Sequence, residues 1–504
     1  VPEELSDALR ADAAGFVDAL PASVVMPAGT GKTHLLAAAS KHVAGGGGKV
    51  LVITHTNAGV QAVATRLKRF GVMTGVHVTT ITSFAFRLAR AYPVLGERIV
   101  PRVMVPDDSQ DYVRAATRAL AGMHIQAVVR ASYTHVLVDE YQDCNTGHHA
   151  LVLKLKEAVG HVGVLGDPLQ AIFGFSEQLP DWEAVLGEFP EYTDVTPEPR
   201  RWAGHNEALG DWLLGIRPSL SAGQVLQLDT LNYPPRVRFT DISGNYRAVA
   251  NAAFSALSMP PDETVLVISA RYAASGRGIA GQLDGRYTVM EEIAGSFIGG
   301  WLTELLDTEP EGYASWLFDF AKSCHVRHGA LDRNPLGKCY RRGETGGHLL
   351  KKSSKREPVR IAIEALDRVV GNPTLRELAA AMDVIPSSPG IRLHSHEAWY
   401  DAKAAIRGAA AQGDDKSLLH AELAKARDSL RHAGRPERRR IISRTLLVKG
   451  LEYDHVIIAD AQNHTEINDL YVALTRARKS INILASDPSL TLIESPRGPK
   501  AQTG

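Results

Sequence analysis

Residues 26–33 read MPAGTGKT, a glycine-bearing turn between the apolar run Ser23–Met26 and a helical pattern that starts at Lys32. A strand that enters such a turn and leaves as a helix is half of a parallel β-α unit, so the chain must build an open parallel sheet. Gly29 and Gly31 let the backbone N–H groups of Ala28, Gly29, Thr30 and Gly31 approach phosphate oxygens with no Cβ in the way. The helix start adds the positive end of its dipole. In that frame Lys32 reaches the β- and γ-phosphates of a nucleoside triphosphate, and the Thr33 hydroxyl ligates magnesium. Met26 stands where such loops usually carry their first glycine.

About a hundred residues later the chain reads VLVDEYQD, Val136 to Asp143. An apolar strand ending in two carboxylates complements a phosphate loop. Asp139 is suited to hold the metal, and Glu140 to orient and deprotonate an attacking water. Further strands are expected at Lys49–Thr54 and Val162–Gly166, and a helix at Ala58–Phe70 from the spacing of Val60, Val63, Ala64 and Leu67. In open parallel sheets ligands sit beyond the carboxyl ends of the strands, so these motifs should meet at one edge. A second α/β region is split: Thr264–Ser269 lies in one piece, Asp454–Asp460 and Ser480–Ser486 in the other, with mostly helical, polar sequence between.

At 504 residues the chain is long enough for roughly three domains. No apolar run is long enough to span a bilayer, so no membrane partner is expected. The acidic start lacks a basic-then-apolar pattern, which predicts a cytoplasmic protein. Three cysteines exclude a disulfide framework and a four-thiolate cluster. Lysine plus arginine equals aspartate plus glutamate at 56 each, so any phosphate-backbone binding must run along a local track.

DEYQD (Asp139–Asp143) resembles the metal-binding motif II of UvrD/Rep-like superfamily 1 DNA helicases, and the other motifs of that family follow in order. Thr54–Leu67 resembles motif Ia, Thr79–Arg90 motif Ib, Val162–Phe175 motif III, Lys449–Asp460 motif V and Leu470–Lys479 motif VI. The resemblance implies two RecA-like α/β domains, parallel sheets flanked by helices, with ATP and Mg2+ between them. It implies that Gln170 senses the γ-phosphate, Glu452 beside Gly450 binds the ribose, and Arg476 acts as an arginine finger from the second domain. The family's motif IV supplies a further finger. Spacing from motif III favours Arg201, with Arg200 as its rival, over the similar-looking NYPPR and GNYR segments. This chain departs from the family pattern in several places. No glutamine precedes Gln61, so the residue that reads adenine in the family has no counterpart. His55, Ile81, Thr82 and Leu446 replace residues typical of the strand-gripping motifs.

The resemblance also implies single-stranded or forked DNA as partner, contacted by Thr54, Asn57 and Ser83. Phe173 and Phe175 are candidate stacking platforms, or else core under motif III. A basic stretch that includes Lys351, Lys352 and Arg356 reads as a DNA contact or as a solvated helix face. Cys324, His325, His328, Cys339 and His348 cluster in sequence without the spacing of a standard zinc site. His148 and His149 read as surface residues.

The expected domains are 1–195 and 196–292, a helical insertion over 293–437, and 438–504 completing the second RecA-like domain. The expected function is a 3′-to-5′ DNA translocase or helicase. A second reading is a regulatory subunit that senses nucleotide or DNA ends for a partner. The helicase-like subunits of two-gene anti-phage systems of the Gabija kind offer an analogy for it. The chain ends soon after motif VI, so cutting of DNA would fall to a nuclease partner.

Overall fold

The computed structural model describes residues 3–101, 104, 108–174, 178–223, 225–243, 245, 247–270, 273–290, 296–327, 340–342, 348–350, 357–389, 391–433 and 438–498, some of them by backbone alone. The chain forms two compact units. The first is Val1–Arg236 with His464–Lys479 and Ser489–Gly504, and the second is Val237–Asn463 with Ser480–Pro488. The first unit thus runs past residue 195 to Arg236 and takes in the motif VI segment.

In the first unit, strands β1 (Ala22–Val25), β2 (Val50–Thr54), β3 (Val76–Thr80), β4 (His135–Val138) and β5 (His161–Gly166) form a sheet in the order β1-β5-β4-β2-β3. Every neighbouring pair is parallel. The inner strands β2 and β4 are nearly continuous apolar runs because both faces are covered, while edge strand β3 carries His77, Thr79 and Thr80. Alternation along β2 shows it. Val50 and Val52 pack with Phe16 of α1 (Asp7–Asp18), Leu36 of α2 (Lys32–Gly45) and Val63 of α3 (Asn57–Arg69). Leu51 and Ile53 face the other way, onto Phe84 of α4 (Ile81–Ala91), Tyr112 of α5 (Ser109–Leu120), Ile125 of α6 (Met123–Ser132) and Leu151 of α7 (Thr146–Val159). Short α8 (Trp182–Glu188) closes that second core through Val185, and α9 (Glu207–Ser221) follows it. The helix expected at Ala58–Phe70 is α3, started one residue earlier because the Thr56 side chain caps it by accepting from Gly59 N. A two-stranded pair, β6 (Leu226–Gln227) with β17 (Ser489–Leu490), completes the unit.

The second unit holds β7 (Val237–Asp241), β8 (Val265–Ser269), β9 (Thr288–Val289), β14 (Arg440–Ser443), β15 (Tyr453–Ala459) and β16 (Ala477–Ala485) in the order β7-β16-β15-β8-β14-β9. This one sheet joins strands from both pieces of the split region. Between them runs an insertion with its own core. Its helices include Tyr313–Cys324 and His396–Ala411, whose Phe320 and Trp399 rings stack at 5.5 Å. Short antiparallel pairs, β10 (His325–Arg327) with β13 (Ile391–Leu393) and β11 (Tyr340–Arg342) with β12 (His348–Leu350), interrupt the helices. No helix among the described residues is long and apolar enough to cross a membrane.

Candidate nucleotide site

All five strands of the first sheet point their carboxyl ends the same way, so the segments that follow them share one edge. After β1 comes the loop Met26–Gly31, and α2 begins at Lys32. Gly29 and Gly31 take positive φ values of 74° and 105°, conformations that only glycine adopts without strain. A second reason for glycine was not visible in the sequence. A Cβ on Gly29 would lie 2.9 Å from the Trp202 ring and 3.0 Å from Arg201 Cβ, and one on Gly31 would lie 3.0 Å from Arg200 Cδ. The Pro199–Trp202 segment packs on the loop, and Arg201 N donates to Gly29 O at 3.1 Å. Lys32 is buried, and its Nζ donates to Met26 O at 3.0 Å, which curls the lysine under the loop. Thr30 is buried with its hydroxyl on Pro27 O, and Thr33 stands half-buried in the first turn of α2.

After β4, Asp139 is only 4% exposed, and its Oδ1 accepts from Glu140 N at 2.9 Å. Burial pushes its carboxyl up to about 7, Glu140 beside it adds to the rise, and Lys32 opposes it. Glu140 has φ 53°, a left-handed conformation that costs a non-glycine residue energy and is common at working sites. Gln142 Nε2 donates to Glu140 Oε2, and its Oε1 accepts from Asp167 N at 3.0 Å. Tyr141 is fully buried, with its hydroxyl 2.7 Å from His149 Nδ1. His148 is buried too, contrary to the surface position expected. Its N–H donates to the Asn145 side chain, and its ring takes part in the reciprocal cap that starts α7.

After β5, Gln170 is 4% exposed and donates through Nε2 to Asp167 Oδ2 at 3.0 Å. Phe173 is half-buried. Leu179 N donates to Arg497 O at 2.7 Å, and Pro496 backbone lies against Gly174, so a C-terminal segment of the unit crosses this loop. Phe175, Lys351, Lys352, Arg356, His328 and Cys339 lie outside the described residues, and of His348 only the backbone is described. No group of three or more potential ligands among the described residues could hold a metal on its own.

At the same edge, Thr54 ends β2, Asn57 opens α3 and Ser83 sits in the first turn of α4, where its N–H donates to the capping Thr80 Oγ1. Gly450, with φ 80°, and Glu452 belong to the second unit, in the turn before β15.

The motif VI segment differs most from expectation. Arg476 was expected on the second lobe, yet its segment packs in the first unit because hydrogen bonds tie it there. Ala28 N donates to Tyr471 Oη at 3.1 Å, Trp202 Nε1 to Ala477 O at 2.8 Å, and Arg201 Nη1 to Thr475 O. Arg476 itself is fully buried, donating to Val472 O at 2.8 Å and to Thr475 Oγ1 at 2.9 Å. Asn468 Nδ2 donates to Pro168 O and Ala171 O, at the two ends of the turn that carries Gln170. No motif pointed to Arg217. It pairs bidentately with Asp167 and donates to Tyr471 Oη at 2.8 Å.

A cleft beside the loop is lined by Leu9 and Asp12 of α1, Thr30, Gly31, Thr196, Arg200 and neighbouring residues. Burial raises the Asp12 carboxyl, opposed by its hydrogen bond from Thr196 N. Arg200 pairs with Glu198 at the cleft's rim.

Two family models match the chain. The UvrD/REP helicase N-terminal domain matches residues 102–180, and the UvrD-like helicase C-terminal domain matches residues 447–484. DNA helicase II of Salmonella typhimurium (strain LT2) is 33% identical over 90 residues, and DNA helicase II of Escherichia coli (strain K12) is 32% identical over 90 residues. Each alignment covers 18% of this chain and 12% of the relative, so the matched stretch is a small part of those proteins. The two matched segments fall in the order the motifs require, on a chain with two mainly parallel sheets, and each is similar to the corresponding part of a UvrD/Rep-like helicase.

Proposed function

We propose that this protein is a DNA-dependent ATP hydrolase that moves along or unwinds DNA in the 3′-to-5′ direction. One observation carries the reading. A glycine loop with Lys32, the Asp139–Glu140 pair and Gln170 follow β1, β4 and β5, which are neighbours in one parallel sheet.

The residues fit a magnesium–triphosphate complex. Asp139 is a buried carboxylate beside a second one, with a raised pKa and one nearby lysine whose ammonium is spent on Met26 O. Such a pair is relieved by a divalent cation. Thr33 and Asp139 would hold it, and the ion would neutralise charge on the β- and γ-oxygens. The loop N–H groups and Lys32 bind phosphate oxygens. Glu140, fixed by Gln142, orients a water and accepts its proton as the oxygen attacks phosphorus and the ADP oxygen departs. Gln170 reports on the γ-position. Arg201, with its backbone on Gly29, is placed to add positive charge there, and Arg200 beside Gly31 is its neighbour in that role. Arg476 reaches phosphate only by exchanging its two described hydrogen bonds for new ones. Glu452 and Gly450 are assigned to the ribose, and Thr54, Asn57, Ser83 and Phe173 to the strand, on the family resemblance.

A regulatory reading, in which turnover signals to a partner without unwinding, draws on the segment Pro496–Arg497 lying across the Phe173–Gly174 loop. The test is phosphate release and forked-duplex unwinding by the full chain, with Lys32→Ala as control. DNA-stimulated release with unwinding supports the motor. Release without unwinding supports the regulator, and no release by the wild type refutes both.

A further inference from the structure

One buried cluster to which the motifs assign no role centres on Asp167. Asp167 is fully buried and accepts four hydrogen bonds, from Leu169 N, Gln170 Nε2 and two Arg217 nitrogens. The Arg217 Nη1 that donates to Asp167 Oδ2 also donates to Tyr471 Oη, and the Tyr471 ring lies 5.1 Å below the guanidinium. Burial works against the Arg217 charge, but Asp167 outweighs it and holds the guanidinium above its ordinary pKa. Tyr471 Oη accepts again, from Ala28 N in the phosphate loop. Both hydrogen bonds at this oxygen are accepted, so the phenol proton keeps no acceptor among the described residues.

We infer that Arg217 is a positioning residue for hydrolysis: it joins the phosphate loop, through Tyr471, to Asp167 and thereby to Gln170. The inference rests on the proposed ATP hydrolysis for its consequence, though not for its geometry. The planar fork of arginine matters because it can satisfy a carboxylate with two parallel bonds while a nitrogen still reaches a third group. A lysine cannot do this. Asp167 fixes the side chain of Gln170, so a loop displaced by bound phosphate pulls on Tyr471, then Arg217, then the carboxylate that holds the sensing amide. Asn468 pins the ends of the same turn from the helix Ile467–Leu474, one turn before Tyr471. The turn therefore cannot shift freely, and the side-chain relay is the part left to move.

The experiment compares Arg217→Met, Arg217→Lys and the double variant Arg217→Met with Asp167→Asn against wild type. It reads steady-state ATP hydrolysis, melting temperature, and hydrogen exchange of peptides covering 27–31 and 167–171. The expected result for Arg217→Met is a kcat lower by about tenfold or more with KM within about threefold, the signature of a group acting after binding. Exchange should rise in both peptides, and Arg217→Lys should lie between. The double variant removes the unpaired buried charge, so its melting temperature should recover while kcat stays low. Recovery of kcat together with stability would overturn the inference, because the arginine would then only neutralise Asp167. Exchange rising in the 167–171 peptide alone would also overturn it. A wild type that hydrolyses nothing refutes the proposed function, and the exchange data still decide whether Arg217 links the two loops.

Discussion

The two sheets of this chain end their central strands alike. In the first unit β4 runs apolar into Asp139 and then Glu140 at φ 53°, followed by a 3-10 turn at Tyr141–Asp143. In the second, β15 runs apolar into Asp460 at φ 52°, followed by a 3-10 turn at Ala461–Asn463. A left-handed acidic residue at a strand end is thus a habit of the architecture and does not by itself mark chemistry. The surroundings differ. The first strand end has a buried second carboxylate and a glycine loop with its lysine, while β8 of the second sheet leads into ARYAASGRG, which has no lysine after its glycines. On the proposed function, the first sheet holds the triphosphate, and the second repeats only the frame.

The largest expected effects would break this contrast if they failed. Lys32→Ala should lower phosphate release by about a thousandfold or more, since the lysine meets charge that grows as the terminal phosphoryl leaves. Glu140→Gln should lower it by about 10²–10⁴-fold, the usual worth of a positioned base. Asp460→Asn, the matching change on the second sheet, should alter release by less than about threefold. Comparable losses at Asp460 and Glu140 would mean that the second strand end is a working site too.

A smaller effect sharpens the comparison through stability. The folded pKa of Asp139 lies near 7, above the ordinary 3.8. Below about pH 4 both folded and unfolded states hold the proton, and the residue costs nothing. As pH rises from there toward 7 the unfolded chain ionises first, so the metal-free fold loses stability, and above 7 the full cost is present. Asp139→Asn removes this cost. Its melting temperature should exceed that of wild type by more at pH 8 than at pH 5. Magnesium should raise the wild type and leave the variant nearly unchanged. Equal differences at both pH values would show that Asp139 is not held protonated in the apo fold.

Much of the first sheet was legible because its signals are local. Strands β1, β2, β4 and β5 are mostly apolar runs bounded by polar motifs, and the loop, the acidic pair and Gln170 are contiguous words; edge strand β3, with His77, Thr79 and Thr80, has no such run and gave no signal. The family resemblance, with spacing from motif III, singled out Arg201, whose backbone N–H donates to Gly29 O; its role is a proposal. Arg217 was not legible. It sits mid-helix in GIRPSL, 50 residues from Asp167 and 254 from Tyr471, and no periodicity links residues that far apart. The packing of motif VI in the first unit was missed for the same reason: its ties to Ala28, Pro168 and Arg201 are long-range side-chain bonds. His148 was misread because a cap residue looks polar in sequence whether or not it is buried.

The smallest effect concerns the base. The cleft beside Gly31 presents Leu9 and Asp12 from α1, and no amide among its lining residues. Adenine offers a donor and an acceptor on its recognition edges, which an amide side chain matches in pairs and a carboxylate only as an acceptor. A site built on Asp12 therefore rewards donors alone. Guanine offers two adjacent N–H donors where adenine offers one amino group, so kcat/KM for ATP should not exceed that for GTP, and the two should lie within about tenfold. Asp12→Asn supplies the missing donor and should shift that ratio toward ATP by about threefold to tenfold with kcat unchanged. A wild-type preference of about a thousandfold for ATP would show that the base is read elsewhere, and the cleft would then be packing space between α1 and the phosphate loop.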